Sequence, residues 1–140
     1  MVEKDMQVLF GRWLQENKPE RPSAFELKIV KGTSVPFGRV KDHQVTALGA
    51  VKNGGLYHKI QDSPVSWGMG SGMRFTKPKP FDCMHLVGDA YVVLWFYEPR
   101  KKKQAMWIDV DTWVNERDTS ERKSLTKSRA EEISSFIHEL

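Results

Sequence analysis

Two residues of opposite charge, Glu26 and Lys28, stand two positions apart in the run Ala24-Phe25-Glu26-Leu27-Lys28-Ile29-Val30. The run alternates as a strand does, so Phe25, Leu27 and Ile29 share one face and Glu26 and Lys28 project from the other, about 6–7 Å apart. A carboxylate in that position can ligate a hard cation such as Mg²⁺ through oxygen. The lysine beside it can position or deprotonate a water, or neutralise charge gathering on a pentavalent phosphorus. The pair alone is a weak signal, because E-x-K is common on the solvent face of an edge strand. A Mg²⁺ site needs at least a second carboxylate, and Asp82, in Lys79-Pro80-Phe81-Asp82-Cys83, offers one. It opens what reads as a hydrophobic strand, where a charge running into the core gains from a shared ion. Asp62, in a turn-like Asp-Ser-Pro, is the weaker alternative.

The elements that must position these groups follow from the periodicity. Met6, Leu9, Phe10, Trp13 and Leu14 form one apolar stripe of a helix from about Lys4 to Asn17, ended by Lys18, Pro19 and Pro22. A second helix is expected from about Val40 to Asn53, stopped at Gly54-Gly55, with a strand over residues 55–60. Residues 64–80 hold Gly68, Gly70, Gly72 and several cations and read as a loop, with a short strand near Met73 to Thr76. Phe81 to Val87 reads as a strand, Gly88-Asp89 as a two-residue hairpin turn, and Ala90 to Tyr97 as a central strand buried on both faces. Ala105 to Val110 is a further strand, and Asp111 is expected to cap a short helix. Thr126 or Ser128 is expected to cap a last helix, with Ile133, Phe136, Ile137 and Leu140 as its apolar face. The order predicts one α/β domain over residues 1–140, a sheet covered by helices.

Composition excludes several classes. The 140 residues are 39% hydrophobic and carry one cysteine, Cys83, so no internal disulfide forms. No signal peptide opens the chain and no apolar run reaches membrane-spanning length, which predicts a soluble cytoplasmic protein with no membrane partner. His43, His58 and His85 do not form a ligand-spaced cluster with Cys83, so no zinc site is expected. A G-x-x-x-x-G-K-[ST] phosphate loop is missing, against an ATPase. The net charge of +4 permits a polyanionic partner without requiring one.

The succession Phe25-Glu26-Leu27-Lys28, Val35-Pro36-Phe37, His43-Gln44 with Leu48, then Gly54-Gly55-Leu56-Tyr57 resembles the PD-(D/E)xK nuclease superfamily. It is most similar to the Holliday-junction resolvases of the RecU and archaeal types and to small phage-encoded proteins like them. The likeness runs from about Ala24 to Tyr97. It implies a restriction-endonuclease-like fold, a mixed central sheet flanked by helices. It also implies Mg²⁺ (or Mn²⁺) as cofactor, four-way or otherwise branched DNA as substrate, and a homodimer that makes two cuts. Gln44 then becomes a site residue, its amide orienting the attacking water or a phosphate oxygen. The first helix of such nucleases often supplies another acid, for which Glu16 is the better placed and Glu3 the poorer. The usual aspartate precedes E-x-K on a neighbouring strand; here no suitable strand precedes Glu26, and Asp82 is taken as its replacement.

Under that resemblance the basic segments contact phosphates without reading sequence. They are Arg74, Lys77 and Lys79, then Arg100, Lys101, Lys102 and Lys103. Trp67, in the glycine-rich loop, is the candidate for insertion at an unstacked site. The competing readings are a nicking, repair or restriction-type enzyme with the same site, a DNA-binding protein without catalysis, and an unrelated α/β protein with an accidental E-x-K.

Overall fold

A computed structural model describes residues 2–66 and 74–140, with the backbone only for 64–66 and 74–76. In chain order the elements are α1 (Glu3–Asn17), β1 (Ser23–Val30), β2 (Ser34–Pro36), a 3-10 turn (Phe37–Arg39), α2 (Asp42–Asn53), β3 (Leu56–Lys59), β4 (Ser63–Ser66) and β5 (Arg74–Lys77). Then follow β6 (Cys83–Leu86), β7 (Asp89–Phe96), β8 (Gln104–Asp109), α3 (Val110–Thr119), β9 (Ser124–Thr126), α4 (Lys127–Ile133) and β10 (Phe136–Glu139). Among the described residues the architecture is mixed α/β, four helices around a sheet of parallel and antiparallel strands.

That sheet runs β1-β7-β8-β10, with β1 parallel to β7 and the other two pairings antiparallel. A parallel pair needs a crossover, and α2 packs on β1 and β7 to provide it. The strand β7 is buried on both faces, as its unbroken apolar run predicts. Val92, Leu94 and Phe96 join Leu48 and Val51 of α2 and Trp113 of α3 on one side. Val93 and Trp95 join Met6 and Phe10 of α1 on the other. Phe25, Leu27 and Ile29 fall on the α1 side. The alternation read from β1 therefore holds, and Glu26 and Lys28 rise from the face that α2 covers.

Four local expectations are corrected. Gly88-Asp89 is not a hairpin turn: β6 pairs with β3, while β7 pairs with β1. Gly88 is needed there for clearance, since a Cβ on it would lie 1.9 Å from the carbonyl oxygen of Pro22. The strand after Asp82 does not run into the core. Cys83, Met84 and His85 are exposed, and the two-stranded β3–β6 ribbon touches the core through Leu56 and Leu86 at its root. The cap of α3 is Asp109, whose Oδ1 accepts from the Asp111 N–H at 2.9 Å, not Asp111. The last helix ends at Ile133, and Phe136–Glu139 is a strand on β8. Aromatic and β-branched residues at 136 and 137 fit a strand as well as a helix face, and an open sheet edge decides between them. Thr126 does cap α4, accepting from Arg129 N–H at 3.2 Å. The 64–80 segment contains an antiparallel pair, β4 with β5.

Candidate active site

The site is assembled on β1, the N-terminus of α2 and the N-terminus of α1. Glu26 and Lys28 lie opposite Val92 and Leu94 of β7, so the best-buried strand of the protein fixes their height and direction. Lys28 Nζ is 3.0 Å from Glu26 Oε1. The lysine side chain is 11% exposed and that of Glu26 25%. An ammonium group this enclosed requires a compensating anion, and it has two. The second is Glu3 Oε1, at 3.6 Å.

Gln44 holds Glu26 from above. Its Nε2 donates to Glu26 Oε1 at 3.0 Å, and its Oε1 accepts from the Lys41 N–H at 2.9 Å. The second bond is a helix-capping interaction, since Lys41 precedes the first residue of α2 and its N–H has no partner within the helix. It fixes which end of the amide faces the carboxylate. Gln44 thus acts on Glu26, a contact that the role assigned to its amide from sequence, orienting the attacking water or a phosphate oxygen, does not include.

Glu3 is the acid of α1 that the fold brings to Lys28. Glu16, the favoured choice from sequence, is exposed near the other end of the same 15-residue helix. Chain geometry accounts for the difference. The short link from Asn17 to Ser23 turns β1 back along α1, so the later residues of the strand lie beside the first turn of the helix. Glu3 Oε1 is buried and has no hydrogen-bond partner, with Lys28 Nζ and Arg39 Nη2 each 3.6 Å away. Arg39 was not legible as a site residue. It ends the 3-10 turn and donates from Nη2 to the Ile29 carbonyl at 3.2 Å, tying that turn to β1 beside the acid.

Asp82 stands outside this cluster. Its side chain is 88% exposed and meets Lys79 Nζ at 3.1 Å, while its carbonyl accepts from Ile60 N–H at 2.8 Å, beyond the far end of the β3–β6 ribbon. Asp62 is bound nearby, its Oδ1 accepting from the Lys79 N–H at 2.9 Å. Among the described residues no group of three or more His, Cys, Asp and Glu side chains is placed to hold a metal ion. The smaller donor set at Lys28 is Glu26 Oε1 at 3.0 Å and Glu3 Oε1 at 3.6 Å from its Nζ, the latter a buried acceptor lacking a donor. Mg²⁺ is commonly held by one or two carboxylates, with waters and substrate oxygens completing six-fold coordination, so the residues fit.

Of the cations expected to meet phosphate, Lys77 and Arg100 are exposed, Lys101 pairs with Glu98 at 3.0 Å, and Lys102 pairs with Glu139 at 2.7 Å. Lys103 is half-buried, its carbonyl accepting from the Leu140 N–H. Trp67 and the side chain of Arg74 lie outside the described residues. Among the described residues no helix is long and apolar enough to cross a membrane.

The fold and site together define a mixed α/β protein with an acid–lysine–amide cluster on the edge strand of its sheet. No protein-family model matches the chain, and neither a curated protein nor a solved structure matches it.

Proposed function

We infer that the chain is a metal-dependent DNA endonuclease, hydrolysing phosphodiesters at the Glu26–Lys28 cluster. The observation that carries this reading is the meeting of two carboxylates, Glu26 and Glu3, at one enclosed ammonium group, with one acid oriented by Gln44. Glu26 and Glu3 would hold Mg²⁺ or Mn²⁺, which supplies an activated water and neutralises charge on the phosphoryl oxygens. Lys28 Nζ holds the attacking water or a non-bridging oxygen by hydrogen bond and offsets the negative charge that grows in the transition state. Gln44 keeps Glu26 Oε1 in place, and Arg39 holds the Glu3 side of the site closed against β1.

The resemblance to junction resolvases supports branched DNA as the substrate, a homodimer as the acting form, and the cytoplasm of a bacterial or phage-infected cell as its place. The resemblance names Asp82 as the second acid; with Asp82 on the β3–β6 ribbon outside the cluster, Glu3 takes that place in this reading. The test is cleavage of four-way, flap and linear DNAs in Mg²⁺ or Mn²⁺. Wild type is expected to cut the branched DNAs, and Glu26→Gln and Lys28→Met to lose at least about 100-fold, in the range of an electrostatic or acid–base group. A folded Glu26→Gln protein that cuts at the wild-type rate refutes the reading. Cleavage of linear DNA alone refutes the choice of substrate.

A further inference from the structure

The β7–β8 hairpin and the first turn of α4 line an open cavity of about 350 Å³. Phe96 and Met106 line it, and both belong to the core on the face of the sheet that carries Glu26 and Lys28. Around it stand four cations, Arg100, Lys101, Lys102 and Lys127, and one carboxylate, Glu98. Lys102 is turned toward Glu139. Glu98 joins the two walls: its Oε2 is 3.0 Å from Lys101 Nζ on the hairpin, and its Oε1 is 3.4 Å from Lys127 Nζ on the helix. The hydrogen bond and charge of Lys101, then those of Lys127, hold its carboxyl below the usual carboxylate range. A single anion therefore already sits where cations from two separate elements converge.

The cavity is close to the candidate site. Lys28 lies opposite Leu94, and Phe96 lies two residues further along the same neighbouring strand. Strand geometry places Phe96 about 7 Å along and about 5 Å across from Lys28, a separation on the order of 10 Å. A DNA strand carries one phosphate per roughly 3.4 Å of helix axis. A strand with a phosphate at Lys28 thus presents another at the cavity within about three nucleotides.

We propose that this cavity is a phosphate subsite for the DNA strand lying across Glu26 and Lys28, where a backbone phosphodiester takes the position that Glu98 holds between Lys101 and Lys127. The inference rests on the reading that the chain acts on DNA. Glu98 is then a built-in competitor of the substrate, and Lys127 is a phosphate contact that its sequence surroundings do not announce.

The test is binding of a fluorescent four-way junction, and of a linear duplex of the same sequence, in EDTA across a series of salt concentrations. Lys127→Ala is expected to weaken binding about three- to tenfold and to lower the slope of log K against log salt by about one. Glu98→Gln is expected to tighten binding on the order of fourfold at low salt, the effect of removing one like charge about 5 Å from a phosphate in water, with the gain shrinking as salt rises. Unchanged affinity and slope in Lys127→Ala, or unchanged or weaker binding in Glu98→Gln, overturns the subsite. Pyrophosphate serves as a second probe: Lys127-dependent binding of it, with DNA binding unaltered, also overturns the assignment to a strand. Because EDTA removes hydrolysis from the measurement, the two readings fail separately. Wild type that binds DNA but cuts nothing in any divalent ion removes the nuclease reading and leaves these variants decisive for the cavity.

Discussion

If Glu26 and Glu3 form a cation site, divalent ions must stabilise the folded chain, and the size of the effect can be worked out in advance. Both oxygens lie within 3.6 Å of Lys28 Nζ, so an ion there interacts with two carboxylates that are dispersed in the unfolded chain. Two carboxylates and a nearby ammonium make a weak site, with a dissociation constant on the order of 1 mM. At 10 mM Mg²⁺ linkage then gives about 1.4 kcal/mol. Unfolding entropy of about 2 cal/mol/K per residue, over 140 residues, converts this to a rise in Tm of about 5 °C. Scanning calorimetry with and without Mg²⁺, at constant ionic strength set with KCl, reads it. Glu26→Gln and Glu3→Gln are each expected to remove most of the rise, and Glu16→Gln to leave it intact. An equal rise in the Glu3, Glu16 and Glu26 variants means that the ion acts generally on the surface, and the argument from the paired acids fails.

Three further outcomes are expected. Gly88→Ala places a Cβ 1.9 Å from the Pro22 carbonyl oxygen, so the ribbon root must shift at a cost of about 1–3 kcal/mol, seen as a lower urea midpoint; an unchanged midpoint refutes the close approach. Burial first, then the Asp89 and Asp109 carboxylates, holds the Tyr91 phenol above 10.0, and Lys52, which burial alone would lower, is held above 10.5 by Asp109 and Asp111. Both groups bind their proton more tightly in the folded state, so the stability they contribute is complete below about pH 10 and is lost as pH rises through the raised values. Urea midpoints from pH 8 to 11.5 check this, and Lys52→Met is expected to flatten part of the decline. Asp82→Asn is expected to leave the cleavage rate within about threefold of wild type and stability within about 0.5 kcal/mol, as suits an exposed carboxylate that meets Lys79 outside the Glu26–Lys28 cluster; a loss of about 100-fold in cleavage would return Asp82 to the site.

What the sequence discloses and what it conceals divide along physical lines. Strand β1, helices α1 and α2 and the buried strand β7 were readable, because each buries a long stripe or run and hydrophobic period reports burial directly. Strand β10 was not, because four residues at a sheet edge give too short a period to separate from a helix, and pairing with β8 supplies the missing information. The small strands β2 and β9 exist through each other, at three residues apiece, and neither carries a signal alone. In the site, the alternation placed Glu26 and Lys28 on one face correctly. Choosing Glu3 over Glu16 needed the direction in which β1 returns along α1. That direction is a property of the link between the elements, and neither element's pattern contains it. Arg39 was hidden for another reason: its contact is with a backbone carbonyl, Ile29, and any sequence offers a carbonyl there.

The position of Lys28 joins folding to chemistry. Two carboxylates held near one point repel each other, and burial strengthens the repulsion. A chain that must keep such a pair without a divalent ion needs an internal cation beside both, and one anchored so that it cannot drift. Edge strand β1 supplies it through pairing with β7, which is buried along most of its length. Glu26 is then fixed twice more, by Gln44 and by the Lys41 N–H that orients Gln44. The Glu3 oxygen is left as the unsatisfied acceptor, since the two cations nearest to it stand at 3.6 Å, beyond good hydrogen-bonding range. A buried acceptor in that state costs about 1–3 kcal/mol, and a group able to bind it recovers that energy. The fold itself therefore holds both acids in place, with the remaining demand concentrated on a single oxygen.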